Sequence, residues 1–213
     1  MAQRIVILGW GSLLWDEWPG FDKQHREWLG DGPTLNLEFS RISRSRRGAL
    51  TLVIDHVNGA PCQVAYTFSK RVSLDDAMCD LCHREGTTLA NIGHLSLHDF
   101  RTTTSDDESS KSIRTWAKEK NVDVVLWTKL PSNFKEVCGK PFTVKAAVAH
   151  VQALDAEGKV KAAEYVWRAP PFIDTPLRRV LECEPWFPAK RRLTRRSTRT
   201  RRKRARARSG RAG

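Results

Sequence analysis

The residue in this chain whose setting best suits proton transfer is Glu85. Counting from Leu74, the apolar positions Leu74, Ala77, Met78, Leu81 and Cys82 follow the i, i+3, i+4, i+7, i+8 spacing of a helix face turned toward a core. Glu85 falls four residues after Leu81 on the same stripe, so helix geometry aims a carboxylate inward at the C-terminal end. Burial and the negative end of the helix dipole both disfavour its charge and raise its pKa, as a carboxylate acid or base working near neutral pH requires. Spacing alone leaves a structural role open, with Glu85 swung into solvent or paired with a base such as Arg84.

A second candidate is the loop Gly9-Trp10-Gly11-Ser12, where two glycines after an apolar strand let backbone N–H groups converge on an anion such as a substrate carboxylate. It is not a Rossmann phosphate loop, because Leu14 stands where G-x-G-x-x-G needs its third glycine. A lone G-x-G also fits a purely structural turn. Cys79-Asp-Leu-Cys82-His83 spells the C-x-x-C-H of c-type haem attachment, but Cys82 lies on the apolar stripe and no export signal accompanies it. A zinc site would need four ligands, and no second C-x-x-C is present; a redox C-x-x-C belongs at a helix N-terminus, whereas this pair sits nearer the other end. His94-x3-His98 has no acidic partner at ligand spacing and is read as surface or core histidine. The expectation is a site with no metal and no cofactor.

These residues need elements to hold them. Arg4-Ile-Val-Ile-Leu8 reads as a buried strand running into the Gly9 loop, and Leu35 to Ile42 alternates as a half-buried strand. Ala49 to Val57 and Cys62 to Phe68 flank Asn58-Gly59, which predicts an antiparallel hairpin. Ser73-Leu-Asp-Asp76 opens a helix over about Leu74 to Glu85, with Gly86 as its stop. Further elements are a helix around Ile113 to Lys120, a strand within Asn121 to Leu130, a helical segment from Thr143 to Leu154 broken at Glu157-Gly158, and a short helix near Leu177 to Glu182. Strands come mostly first and helices are interspersed, so the expected class is α+β, built on a mixed β-sheet or small barrel with flanking helices.

The chain has 213 residues, room for one ordinary domain, and its hydrophobic content of 40% with eight tryptophans supplies a core. The net charge of +13 is not spread over it. Thirteen of the 37 Lys and Arg lie from Lys190 to Gly213 among no acids, leaving 24 to balance the 24 Asp and Glu. Residues 1–189 therefore read as a neutral folded domain and 190–213 as a disordered Arg-rich tail, able to touch nucleic acid non-specifically through counterion release. The longest apolar stretch, Ile5 to Trp15, is too short to span a membrane, which takes about 20 residues, and no A-x-A-like cleavage site follows it. Five cysteines, an odd number, argue against a disulfide scaffold, so a soluble cytoplasmic protein without membrane contact is expected.

The opening Gly9-Trp10-Gly11-Ser12-Leu13-Leu14-Trp15, followed by Pro19-Gly20-Phe21, resembles the G-Y-G-S-L-[LIM]-W…P-x-F opening of ChaC-type gamma-glutamylcyclotransferases. Phe39-Ser40-Arg41-Ile42-Ser43, then Arg47-Gly48, is similar to that family's F-x-G-x-S-x3-R-G segment, and Arg84-Glu85 to its catalytic R-E pair after a helix. The likeness covers roughly Ile5 to Leu130. It implies a gamma-glutamylcyclotransferase-like fold and an intramolecular acyl transfer that releases 5-oxoproline from a small γ-glutamyl substrate. It further implies Glu85 as general acid and base, with Gly9, Trp10, Gly11, Ser12, Leu13, Ser43 and Arg47 around the substrate. Trp10 stands where the family has tyrosine, which takes a hydroxyl out of the pocket, and Gly86-Thr-Thr follows Glu85 where the family has a glycine-rich turn ending in tyrosine. The alternative is a catalytically silent member of the fold that binds a small ligand or a protein, its tail tethering it to nucleic acid.

Overall fold

The computed structural model describes residues 3–98 and 108–190. In chain order they form β1 (Ile5–Gly9), a 3-10 turn (Gly11–Leu14), α1 (Pro19–Asp22), β2 (Thr34–Ser43), β3 (Ala49–Ile54), β4 (Ala60–Gln63), β5 (Ala65–Phe68) and α2 (Leu74–Glu85). A second 3-10 turn (Leu89–Asn91), β6 (Ile92–Ser96), α3 (Glu108–Glu119), β7 (Val124–Thr128), α4 (Phe134–Cys138), α5 (Val144–Ala153), α6 (Ala156–Arg168) and α7 (Pro176–Cys183) follow.

The architecture is α+β, with two sheets among the described residues and no closed barrel. The larger sheet has the order β5-β1-β7-β6, in which β1 runs parallel to β7 and antiparallel to β5. The smaller has the order β3-β2-β4. The expectation of a barrel fails because the chain changes sheets at one buried residue, Val64, between β4 and β5, so strands of the two sheets are successive without being paired.

Every residue of β1 is buried, as a strand covered on both faces must be. Ile5 and Ile7 pack with Ala77, Leu81 and Cys82 of α2, along with Val124 and Leu126. Val6 and Leu8 face the other way, toward Leu35, Leu37 and Phe39 of β2 and the helices beyond. The apolar stripe of α2 is therefore its docking face, and its sequence limits hold: the Ser73 side chain accepts from Asp76 N–H, and Gly86 closes the helix at φ 58°.

The hairpin expected around Asn58-Gly59 does not form. Residues 49–54 and 60–63 lie on opposite edges of β2, where Leu37 is opposite Ile54 on one side and Ala60 on the other. Between them the chain passes across β2 so closely that a Cβ on Gly59 would sit 2.8 Å from Asn36 C and 2.9 Å from Leu37 N. Asn58-Gly59 is a turn, stabilised by Asp55 Oδ1 accepting from the N–H groups of Val57 and Asn58, but it reverses the chain over a strand rather than between two paired ones.

Glu157-Gly158 also behaves differently from expectation. Instead of breaking structure, it forms the first turn of α6, where Asp155 caps the helix by accepting from Gly158 N–H at 2.6 Å. Strand β6, which the sequence reading did not assign, contains buried His94, while exposed His98 lies beyond it against Asp123 Oδ1 at 2.8 Å. No helix among the described residues is long and apolar enough to cross a membrane. The Arg-rich tail from residue 191 lies outside the described residues.

Candidate active site

A cavity of about 640 Å³ opens where the Trp10–Leu13 loop, the C-terminal end of α2, the β2–β3 hairpin and α6 meet. The elements explain why these groups converge. Strand β1 delivers the loop, and α2, docked beside it, ends at Glu85. Strand β2 shifts register between Glu38 and Arg41, a bulge that changes the course of the strand as it reaches the site. Asn133 then holds that segment as a neighbouring strand would, its Oδ1 accepting from Ile42 N–H at 2.7 Å and its Nδ2 donating to Ile42 O at 3.1 Å.

Glu85 lines this cavity, its side chain only 18% exposed. Burial is the largest influence on its carboxyl and raises the pKa above the usual glutamate range. The guanidinium groups of Arg84 and Arg46 pull it down and the Asp16 carboxylate pushes it up, with burial prevailing. Arg84 Nη1 stands 3.7 Å from Glu85 Oε1, an ion-pair distance too long for a hydrogen bond. Arg84 is committed elsewhere: its Nη2 donates to Ser12 O at 3.0 Å and Asp16 O at 3.1 Å. Among the described residues, Glu85 Oε1, Arg84 Nε and Thr128 Oγ1 are buried polar atoms without a hydrogen-bond partner, and all three residues line the cavity. Folded proteins satisfy nearly all such atoms, and three of the six among the described residues belong to this one cavity, where a polar ligand would meet unmatched groups.

The loop beside Glu85 is clamped rather than free. Arg46 Nη2 meets Asp16 Oδ2 at 2.5 Å, Arg168 Nη1 meets Asp16 Oδ1 at 3.5 Å, and Arg168 Nη2 donates to Trp15 O at 2.8 Å. Arg41, Arg44, Arg46 and Arg84 line the cavity, where Glu85 is the one carboxylate, so the space favours anionic groups.

Of the residues singled out from the sequence, Trp10, Ser12, Leu13, Ser43 and Glu85 come together at the cavity. Gly9 ends β1 against Trp28, whose ring atom Cζ3 would lie 2.5 Å from a Cβ there. Gly11 lies under the loop at φ 74°, where a Cβ would be 2.3 Å from the Tyr165 hydroxyl. Arg47 does not reach the cavity; half-exposed, it pairs with Asp155 and Glu157 at the start of α6. Its neighbour Arg46 takes the inward position. Cys79 is exposed, while Cys82 is buried with its Sγ donating to Thr87 O at 2.9 Å. No group of three or more His, Cys, Asp or Glu among the described residues is placed to hold a metal ion.

Sequence reasoning missed Tyr165, Arg46 and Asp16. Tyr165 is buried on α6, edge-on to Trp15 at 5.3 Å, with the Arg46 guanidinium 5.1 Å from its ring centroid. Burial and the charge of Glu85 push its pKa up to about 12. Comparisons with protein-family models, curated proteins and solved structures return no match for the chain.

Proposed function

We propose that this chain is a gamma-glutamylcyclotransferase-like enzyme that cyclises a γ-glutamyl amine or peptide to 5-oxoproline with Glu85 as general acid and base. The observation that carries the reading is the buried Glu85 carboxylate, its Oε1 without a hydrogen-bond partner, on a cavity shared with Trp10, Ser12 and Leu13. Glu85, Ser12 and Leu13 are among the residues that carry the resemblance to the family, and Trp10 is a departure from it.

In the reaction the α-amine of the γ-glutamyl group attacks its own side-chain carbonyl carbon. A new C–N bond closes the five-membered ring, and the bond to the departing amine breaks; no water enters. The attacking ammonium loses two protons on becoming the lactam N–H; Glu85 accepts each in turn and passes it to the departing nitrogen, which leaves as an ammonium, a task for which a raised pKa is an advantage. The cavity holds amine and carbonyl together, which converts chain flexibility into reactive geometry. Its arginines attract the α-carboxylate of the substrate.

The direct test is release of 5-oxoproline from a panel of γ-glutamyl amines, amino acids and peptides by purified protein. Turnover of any of them supports the reading. Inactivity on the whole panel overturns it and leaves a binding protein.

A further inference from the structure

From the geometry of α6 and the Gly11 loop, we infer that Tyr165 is a further catalytic residue, its hydroxyl donating a hydrogen bond to the substrate carbonyl oxygen as that oxygen becomes anionic. The inference rests on the cyclisation reading above. Its basis is the placement of one phenol. Tyr165 lies outside the stretch that resembles a known family, reaches in from the far end of the chain, and lines the cavity with Glu85. The fold makes room for it at a specific point: Gly11 adopts φ 74°, and the space a Cβ would take is occupied by the Tyr165 hydroxyl, 2.3 Å away.

The ring is fixed from three sides. Trp15 meets it edge-on at 5.3 Å, Phe39 at 6.1 Å, and Arg46 lies over it at 5.1 Å. Such a ring keeps its hydroxyl in one position, as preorganised catalysis requires. The backbone N–H groups of Leu52 and Ser12 donate toward the phenol oxygen. Donors acting on that oxygen polarise its O–H bond. With its pKa pushed up to about 12, the phenol keeps its proton at neutral pH, so it acts as a donor and not as a base.

In the step itself, the amine nitrogen bonds to the carbonyl carbon and the carbonyl π electrons move onto oxygen. Tyr165 O–H stabilises that oxygen by hydrogen bonding without giving up its proton. When the carbonyl re-forms, the departing nitrogen takes the electron pair of the broken C–N bond and a proton held by Glu85, and the ring nitrogen gives its remaining excess proton to the freed carboxylate.

The experiment compares wild type with Tyr165→Phe, which keeps the ring and its packing and deletes only the hydroxyl. kcat and KM are measured on a γ-glutamyl substrate, beside thermal melts. The expected result is a fall in kcat of ~10²–10³-fold, with KM within about threefold of wild type and the melt preserved. Because the chain has only two tyrosines, Tyr66 and Tyr165, wild type grown with 3-fluorotyrosine gives a second readout. Added 5-oxoproline should move the Tyr165 fluorine resonance and leave that of Tyr66 in place. A Phe variant within twofold of wild-type kcat, or an unmoved Tyr165 resonance, overturns the role of Tyr165 while leaving the cyclisation standing. A wild type that forms no 5-oxoproline overturns both.

Discussion

Replacing Glu85 by Gln tests the chemistry and the burial argument together. The amide keeps the length and shape of the side chain and cannot carry the proton, so kcat should fall by ~10²–10⁴-fold, about 3–5 kcal/mol of barrier. Stability should respond with a definite sign. In the unfolded chain the carboxyl titrates at 4.5, and in the folded protein burial moves it higher. Between those values the folded state binds more protons at Glu85 than the unfolded one, so the contribution of Glu85 to stability is greatest below 4.5 and is lost as pH rises through the folded value. Each tenfold gain in proton affinity is worth about 1.4 kcal/mol of that decline. Gln has no such proton, so the variant should match wild type near pH 4 and become the more stable of the two above neutrality. Glu38, buried in β2 and also raised by burial, adds a decline of the same sign to both proteins, so the difference between their curves isolates Glu85. The assays are 5-oxoproline release and denaturant unfolding from pH 4 to 9. A variant that loses stability relative to wild type as pH rises would show that Arg84 and Arg46 outweigh burial, and the proton-transfer role would lose its physical basis.

Asp16→Asn removes a charge that raises the Glu85 pKa and frees Arg46 to act on the carboxylate, so the acid limb of kcat/KM should move to lower pH; Arg46→Met should move it to higher pH. Shifts in the same direction for both variants would refute the electrostatics described for the site. Gly11→Ala sets a Cβ against the Tyr165 hydroxyl at a left-handed backbone position and should cost ~1–3 kcal/mol in denaturant unfolding while displacing Tyr165, so turnover should fall with it. An Ala variant with wild-type stability and rate would contradict that packing. Truncation after Ala189 should leave the melting temperature unchanged and abolish salt-sensitive binding to DNA or RNA. The cut must spare Pro188 and Phe187, because Trp167 Nε1 donates to Pro188 O at 2.7 Å and Phe187 is part of the core.

Local signals in the sequence translated into structure where the neighbours in sequence are also the partners in space. Ser73, Gly86 and the stripe between them specify α2 within one chain segment, and β1 with its loop follows from an apolar run ending in glycine. Asn58-Gly59 specifies a turn but not what the turned chain pairs with; β2 supplies that partner from outside the window. Gly158 looks like a breaker until Asp155, three residues before it, is counted as the cap whose acceptor needs that N–H. At the site, Glu85 was legible because helix periodicity points it inward. Tyr165 was not, because its relation to Gly11 is set by how α6 docks across the loop, a contact between residues far apart in the chain. Arg46 and Arg47 are chemically alike and adjacent, and only the fold shows that the first faces Asp16 and the second Asp155.

The parallel pairing of β1 with β7 has a consequence for the birth of the protein. Ile5 cannot meet Val124 until the intervening chain has been made, which at ~5–20 residues per second takes roughly 6–24 s. Through that interval β1, buried along its whole length in the folded protein, has only its β5 edge to pair with, the condition in which nascent chains aggregate or recruit chaperones. Tyr165 emerges later still. A ribosome stalled between β7 and α6 would carry a chain whose larger sheet has all its strands, yet whose Glu85 cavity still lacks the Tyr165 side.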